Sequence, residues 1–245
     1  MKTIAAFYDI DGTLYREALS VELFKKLSKN GIVSDYKWYN EVKPIYDKWV
    51  NREANYDDYI DKLSKVYHEC IVGVDEGVIK FLANQVIEEK CEKLFRHTKN
   101  RLNWHKEQGH KVIIISGSSY DLASGLAKKL GADDVAGTIF ITDPETREYT
   151  GKVIPMWDRQ SKIEALNKFV EKYDIDLDQS YAYGDTNGDF TMLNAVKYPT
   201  MINPTKELIQ HVKDTPELAA RIETIVERKD VIYKLNINDV EFYEY

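Results

Sequence analysis

Two aspartates, Asp9 and Asp11, flank a single isoleucine and lead directly into Gly12-Thr13. At the end of a strand, side chains two apart point the same way, so both carboxylates address one pocket unless the chain turns between them; Gly12 supplies the turn. A carboxylate attacks a phosphoryl phosphorus when its charge and that of the phosphate are offset, which demands a divalent cation and hydrogen-bond donors close by. Three remote segments carry such groups. Asp185 and Asp189, four apart, supply hard oxygen ligands of the kind magnesium prefers. Ser116 offers a hydroxyl with neighbouring amides, and Lys162 offers positive charge.

Each of these signals has a plainer reading when taken alone. Asp/Gly clusters mark ordinary turns, a lone serine after a strand is usually a loop residue, and a lone helical lysine is usually solvated. What separates the two readings is position. Thr3 to Tyr8 is a continuous apolar, β-prone run that ends abruptly at Asp9, as a buried parallel strand does on reaching a functional loop. Lys111 to Ile115 leads in the same way into Ser116-Gly117-Ser118-Ser119, and Ser180 to Tyr183 leads into Gly184-Asp185-Thr186-Asn187-Gly188-Asp189. Pro199 to Ile202 makes a fourth strand. Helical stretches fall between them, around Tyr120 to Leu130, Ser161 to Tyr173 and Asp189 to Val196, and this alternation predicts a parallel sheet covered on both faces.

The interval between the first two strands far exceeds the roughly 30 residues of a simple βαβ unit, so an insertion is expected there. Its pattern is helical. Leu19, Leu23 and Leu27 share a face and the stretch stops near Asn30-Gly31; Tyr56, Tyr59, Leu63, Val66 and Tyr67 form a second stripe, and Val78, Ile79, Leu82 and Val86 a third. Pro44 is expected to mark a break. The aromatic residues among them, Trp38, Tyr46, Trp49, Tyr56 and Tyr59, suit a substrate pocket but suit the packing of a small helical bundle better. The fold class expected is α/β: a Rossmann-like doubly wound parallel sheet (1–14 and 95–245) with an all-helical cap inserted after the first strand (15–94). Ile139 to Val153 reads as a hairpin turning at Asp143-Pro144-Glu145-Thr146, and Val231 to Tyr245 as an edge strand or hairpin.

Composition narrows the classes of partner. A formal charge of −7 argues against general nucleic-acid binding and leaves small phosphorylated metabolites as compatible partners. No apolar run approaches the ~20 residues of a membrane helix, and no signal-peptide core is found, so a cytoplasmic location is expected, with no membrane partner. Cys70 and Cys91 have neither zinc-knuckle nor disulfide-framework spacing. The five histidines show no metal-ligand spacing and read as structural or surface residues.

Asp9-Ile10-Asp11-Gly12-Thr13, Ser116 after an apolar strand, Lys162 in Gln160-Ser161-Lys162-Ile163-Glu164, and Gly184-Asp185-Thr186-Asn187-Gly188-Asp189 resemble the four ordered motifs of the haloacid dehalogenase superfamily. The helical insertion after the first motif is similar to the caps of its phosphoserine phosphatase branch. The resemblance implies a magnesium-dependent phosphatase that hydrolyses a phosphomonoester through an aspartyl phosphate on Asp9, with Asp11 as acid and then base. It implies magnesium held by the Asp9 carboxylate, the Asp11 backbone carbonyl and Asp185, with Asp189 ordering the surroundings. It assigns Ser116, Gly117 and Lys162 to the phosphoryl group. Glu17 lies near the cap glutamate of that branch, one residue out of register, whereas Leu63 stands about where its carboxylate-gripping arginine would be. The substrate implied is therefore a small phosphomonoester not narrowed to phosphoserine. Two other readings stay open: a phosphotransferase or mutase using the same intermediate, and a non-catalytic phospho-binding module.

Overall fold

The computed structural model describes residues 2–242; Tyr243 to Tyr245, the last part of the tail expected to pair as a strand or hairpin, lie outside the described residues. The apolar runs form the centre of one sheet. Its strands are β1 (Ala5–Tyr8), β2 (Lys111–Ser119), β3 (Asp134–Thr142), β4 (Tyr149–Ile154), β5 (Tyr181–Gly184), β6 (Tyr198–Ile202), β7 (Glu223–Glu227) and β8 (Ile232–Leu235), in the spatial order β4-β3-β2-β1-β5-β6-β7-β8. The six inner strands run parallel and the two outermost antiparallel to their neighbours. All four residues of β1 are buried, as a central strand covered on both faces requires.

The chain divides into two compact units, one of residues 1–18, 91–138 and 155–245, the other of residues 19–90 and 139–154. In the first unit, Ala5, Phe7, Ile113, Ile115, Ala182 and Met201 pack one sheet face against Leu166 and Phe169 of the helix Arg159–Tyr173, Met192 and Leu193 of Phe190–Ala195, and Leu208 and Val212 of Lys206–Lys213. Period-two alternation sends Tyr8 and Tyr183 to the opposite face, where they stack at 4.3 Å. There the Tyr183 hydroxyl accepts from Arg101 Nε at 3.1 Å and meets Nε2 of the fully buried His105 at 2.9 Å, both residues coming from the helix Arg96–Glu107.

One element differs from the sequence-based expectation. β2 does not end at Ile115 but continues to Ser119, because Ser119 pairs with Thr138 of β3 across a register shift. The strand thus carries Ser116 and Ser118, both buried, beyond the end of the apolar run. Pro44 marks a boundary as expected: the five-residue π turn Trp38–Val42 ends just before it, and it occupies the first turn of Lys43–Val50, where a missing N–H costs nothing.

The second unit contains the helices Leu19–Lys29, Lys43–Val50, Tyr56–Ile71 and Glu76–Lys90 together with the hairpin part Ile139–Ile154. Its aromatic residues pack on each other. Trp49 stacks on Tyr59 at 5.5 Å, Tyr46 meets Tyr59 edge-on at 5.3 Å, and Trp38 lies 6.1 Å from Tyr46, so these rings serve bundle packing. Tyr67 lies edge-on to Phe140 at 5.4 Å, which joins the hairpin part to this unit. Among the described residues, no helix is long and apolar enough to cross a membrane.

Candidate active site

The loop after β1 is shaped by a backbone demand. Ile10 carbonyl accepts from the amides of Leu14 and Tyr15 at 2.8 Å, closing a tight turn, and Gly12 at its apex has φ +81°. A Cβ there would also stand 2.0 Å from Asp185 Oδ2, so only glycine lets the Asp9–Thr13 loop approach the loop after β5. A similar demand recurs at Gly184, where a Cβ would lie 2.4 Å from that of Asp189.

Side chains from three of the four segments meet directly within the first unit. Lys162 Nζ donates to Asp9 Oδ1 at 2.7 Å and to Asp189 Oδ1 at 2.5 Å, with all three side chains buried. Asp189 Oδ2 accepts from the amides of Asp185 and Thr186 at 3.1 and 3.0 Å and from the Thr186 hydroxyl at 3.2 Å, so this carboxylate organises the loop that carries Asp185. One carboxylate oxygen from each of Asp9, Asp185 and Asp189 lies within 4.8 Å of the others. Ser116, from the fourth segment, is fully buried, and its Oγ accepts from the Ser118 amide at 3.2 Å.

Burial drives the electrostatics. Desolvation pushes the Asp9 carboxyl up from 3.8 to about 7; Lys162 opposes this, and the charges of Asp189 and Asp11 reinforce it. Asp185 is raised well above the carboxylate range by desolvation and then by Asp189 and Asp9. Desolvation pulls Lys162 down, but Asp189 and Asp9 outweigh it and leave the ammonium raised. Three buried acids thus face one buried cation. That surplus of negative charge on hard oxygen donors fits a divalent cation of the magnesium type.

Two residues outside the expected set hold the acids in place. Ser118 Oγ donates to Asp11 Oδ2 at 2.6 Å, and Thr13 Oγ1 donates to Asp185 Oδ1 at 2.9 Å. Ser118 enters because β2 extends past Ile115 through a register shift, which is hidden when Ser116 is read as the start of a loop. A third brace is Arg159, whose Nε donates to the Asn187 carbonyl at 3.1 Å while its Nη2 bonds the Asn187 side chain. His211 Nδ1 meets the same Asn187 Oδ1 at 2.6 Å. Gly117 lies beside Trp157, and its carbonyl accepts from Thr138 Oγ1 at 2.8 Å. Glu17 is about half exposed and pairs with Lys93 at 3.3 Å.

A family model described as haloacid dehalogenase-like hydrolase matches residues 6–194. The chain belongs to this family. The match spans every segment of the acid cluster. Among curated proteins, this family member is 24% identical over 206 residues to a probable phosphatase of Mycobacterium tuberculosis, covering 83% of this chain and 70% of that one. It is also 24% identical over 212 residues to a phosphoserine phosphatase of the same organism, covering 84% and 67%. Among solved structures, a Bordetella pertussis protein of unknown function superposes with TM-score 0.68 at 16% identity, over 88% of this chain and 97% of that one. A substrate-bound phosphoserine phosphatase superposes with TM-score 0.62 at 18% identity, over 94% and 95%. At such identities the structural likeness speaks for the shared α/β fold.

Proposed function

We propose that this hydrolase is a phosphatase acting on a small phosphomonoester through a covalent intermediate on Asp9. The observation that carries the reading is the buried arrangement of Asp9, Asp185 and Asp189 around the single ammonium of Lys162. Asp9 attacks phosphorus and the bond from phosphorus to the leaving oxygen breaks. Asp11 gives that oxygen its proton, then takes one from the water that cleaves the acyl phosphate, releasing phosphate and regenerating Asp9. Ser118 holds Asp11 by its Oδ2, which fixes the direction in which the proton travels. Lys162 fixes the Asp9 carboxylate through Oδ1, and with Ser116 and the Gly117 backbone it offers charge and donors to the phosphoryl oxygens. Magnesium would be held by Asp9, Asp185 and the Asp11 carbonyl, with Asp189 ordering the loop; when bound it supplies electrostatic neutralisation of the phosphoryl charge.

We assign the role of cap to the second unit, whose residues 19–90 leave the first unit after Ala18 and return at Cys91. Leu63 is buried there, 1% exposed, as a core residue of that unit, so no side chain at this position grips a substrate carboxylate. This favours phosphomonoesters without the amino-acid head group of phosphoserine, and it leaves Glu17 as a candidate contact at the edge of the site.

The test is Asp9→Asn assayed on an aryl phosphate with magnesium. Release of phosphate should fall to background, roughly 10³-fold or more, with the circular dichroism spectrum unchanged. Hydroxylamine, which attacks the acyl carbon and expels phosphate, should leave a hydroxamate at Asp9 of the parent protein during turnover and none in the variant. Turnover that survives the substitution would refute Asp9 as nucleophile.

A further inference from the structure

Two hydrogen-bonded ties among the described residues join the helix that carries Lys162 to the loop that carries Asp185 and Asp189. The first is the bond from Lys162 Nζ to Asp189 Oδ1 at 2.5 Å, which runs through the acids themselves. The second starts at Arg159, the first residue of the same helix. Arg159 Nε donates to the Asn187 carbonyl at 3.1 Å and its Nη2 to Asn187 Oδ1, and Asn187 stands between Asp185 and Asp189 in the loop. The Arg159 carbonyl accepts from Thr191 Oγ1 at 2.8 Å, and its guanidinium lies 4.9 Å from the centre of the Phe190 ring, so the residues just past Asp189 are gripped as well.

Asn187 is also held by a second helix. Its Nδ2 donates to the Glu207 carboxylate, and since a carboxylate only accepts, this bond fixes Oδ1 as the end that meets Arg159. His211 Nδ1 lies 2.6 Å from that Oδ1. Glu207 and His211, four apart, share a face of the helix Lys206–Lys213, and the amide of its N-cap, Thr205, donates to the Asp185 carbonyl at 2.9 Å. The Asn187 side chain is thus engaged at both ends by residues outside the acid cluster.

The two ties respond differently to charge. Lys162 is held by Asp9 and Asp189, and its hold weakens when a divalent cation shares those acids and repels the ammonium. Arg159 bonds a peptide carbonyl and an amide oxygen, neutral groups that do not titrate, so its grip does not depend on the charge of the acids.

We propose that Arg159 is a positioning residue for the reaction: through Asn187 it keeps the Lys162 helix in register with the Asp185–Asp189 loop when the cluster is loaded. It acts through Lys162 and the loop and touches no reacting atom. The inference rests on the reading of Asp9, Asp185 and Asp189 as the catalytic centre.

Arg159→Met, Asn187→Leu and their combination test it, in the full chain, by turnover of an aryl phosphate and by melting temperature with and without magnesium. In Arg159→Met, kcat at saturating magnesium should fall about tenfold with KM within about twofold, and the combination should lose no more than Arg159→Met alone, as residues acting in series do. Arg159→Lys, whose ammonium reaches one acceptor of the two, should recover part of the loss. Without magnesium the variants should melt close to the parent, because the Lys162 tie is intact; with magnesium their rise should be smaller than the parent's. A merely structural role would lower the melting temperature equally in both buffers. That outcome, undiminished kcat in Arg159→Met, or additive losses in the combination would each overturn the assignment. If the parent itself shows no magnesium-dependent turnover, the catalytic reading fails instead, and the melting-temperature comparison alone decides for or against Arg159.

Discussion

Burial sets the behaviour of Asp9. Desolvation lifts its carboxyl from 3.8 to about 7, and Lys162, shared between two acids, opposes this only in part. A carboxyl raised in the folded chain keeps its proton there after the unfolded chain has released it. Its contribution to stability is therefore complete below about pH 4 and is lost as pH rises to about 7. Asp9→Asn keeps the position neutral throughout. In metal-free buffer the variant should match the parent near pH 4 and exceed it at pH 8 by about 1–3 kcal/mol, measured by urea denaturation at the two pH values. A stability difference independent of pH would show that Asp9 does not titrate in this window. Ser118 acts on the other acid. Removing its hydroxyl in Ser118→Ala leaves Asp11 without the 2.6 Å donor, so kcat should fall about tenfold or more, with little change in KM or melting temperature.

The loops after β1 and β5 meet at a distance that only glycine permits. Gly12→Ala meets two penalties at once, a φ of +81° and a Cβ driven into the Asp185 carboxylate. The variant should lose about 2–4 kcal/mol of stability and nearly all turnover, since relief requires Asp185 to move from the cluster. A variant as stable and as active as the parent would mean that the two loops are further apart than described. The elements themselves were largely legible, because a buried parallel strand is written as an apolar run and an amphipathic helix as a stripe. β2 was the exception. Its last four residues, Ser116 to Ser119, are polar and carry no strand signal; they are extended because Thr138 of β3 lies alongside to pair with Ser119. Pro44 was legible as a boundary, because proline fits the first turn of a helix and Lys43–Val50 begins there.

On the proposed reading, the buried cluster of Asp9, Asp185 and Asp189 binds a divalent cation in the folded chain better than the unfolded chain does. Saturating magnesium should raise the melting temperature, by the equivalent of about 2.7 kcal/mol at a hundredfold excess over the dissociation constant. Protons compete for Asp9 and Asp185, so the rise should be larger at pH 8 than at pH 6, with protons released on binding. An equal rise in Asp185→Asn would place the cation elsewhere. The sequence by itself determined the alternation of strands and helices, the insertion after the first strand and the identity of the acids and the lysine, because each is written in local periodicity or residue type. Tertiary structure alone decided which partner each group keeps. Whether Lys162 serves one acid or two, and that Ser118 steadies Asp11 and Thr13 steadies Asp185, all depend on distances of a few ångströms between segments up to 172 residues apart. Hydrogen bonds and desolvation act through space over such distances, and no spacing along a chain encodes them.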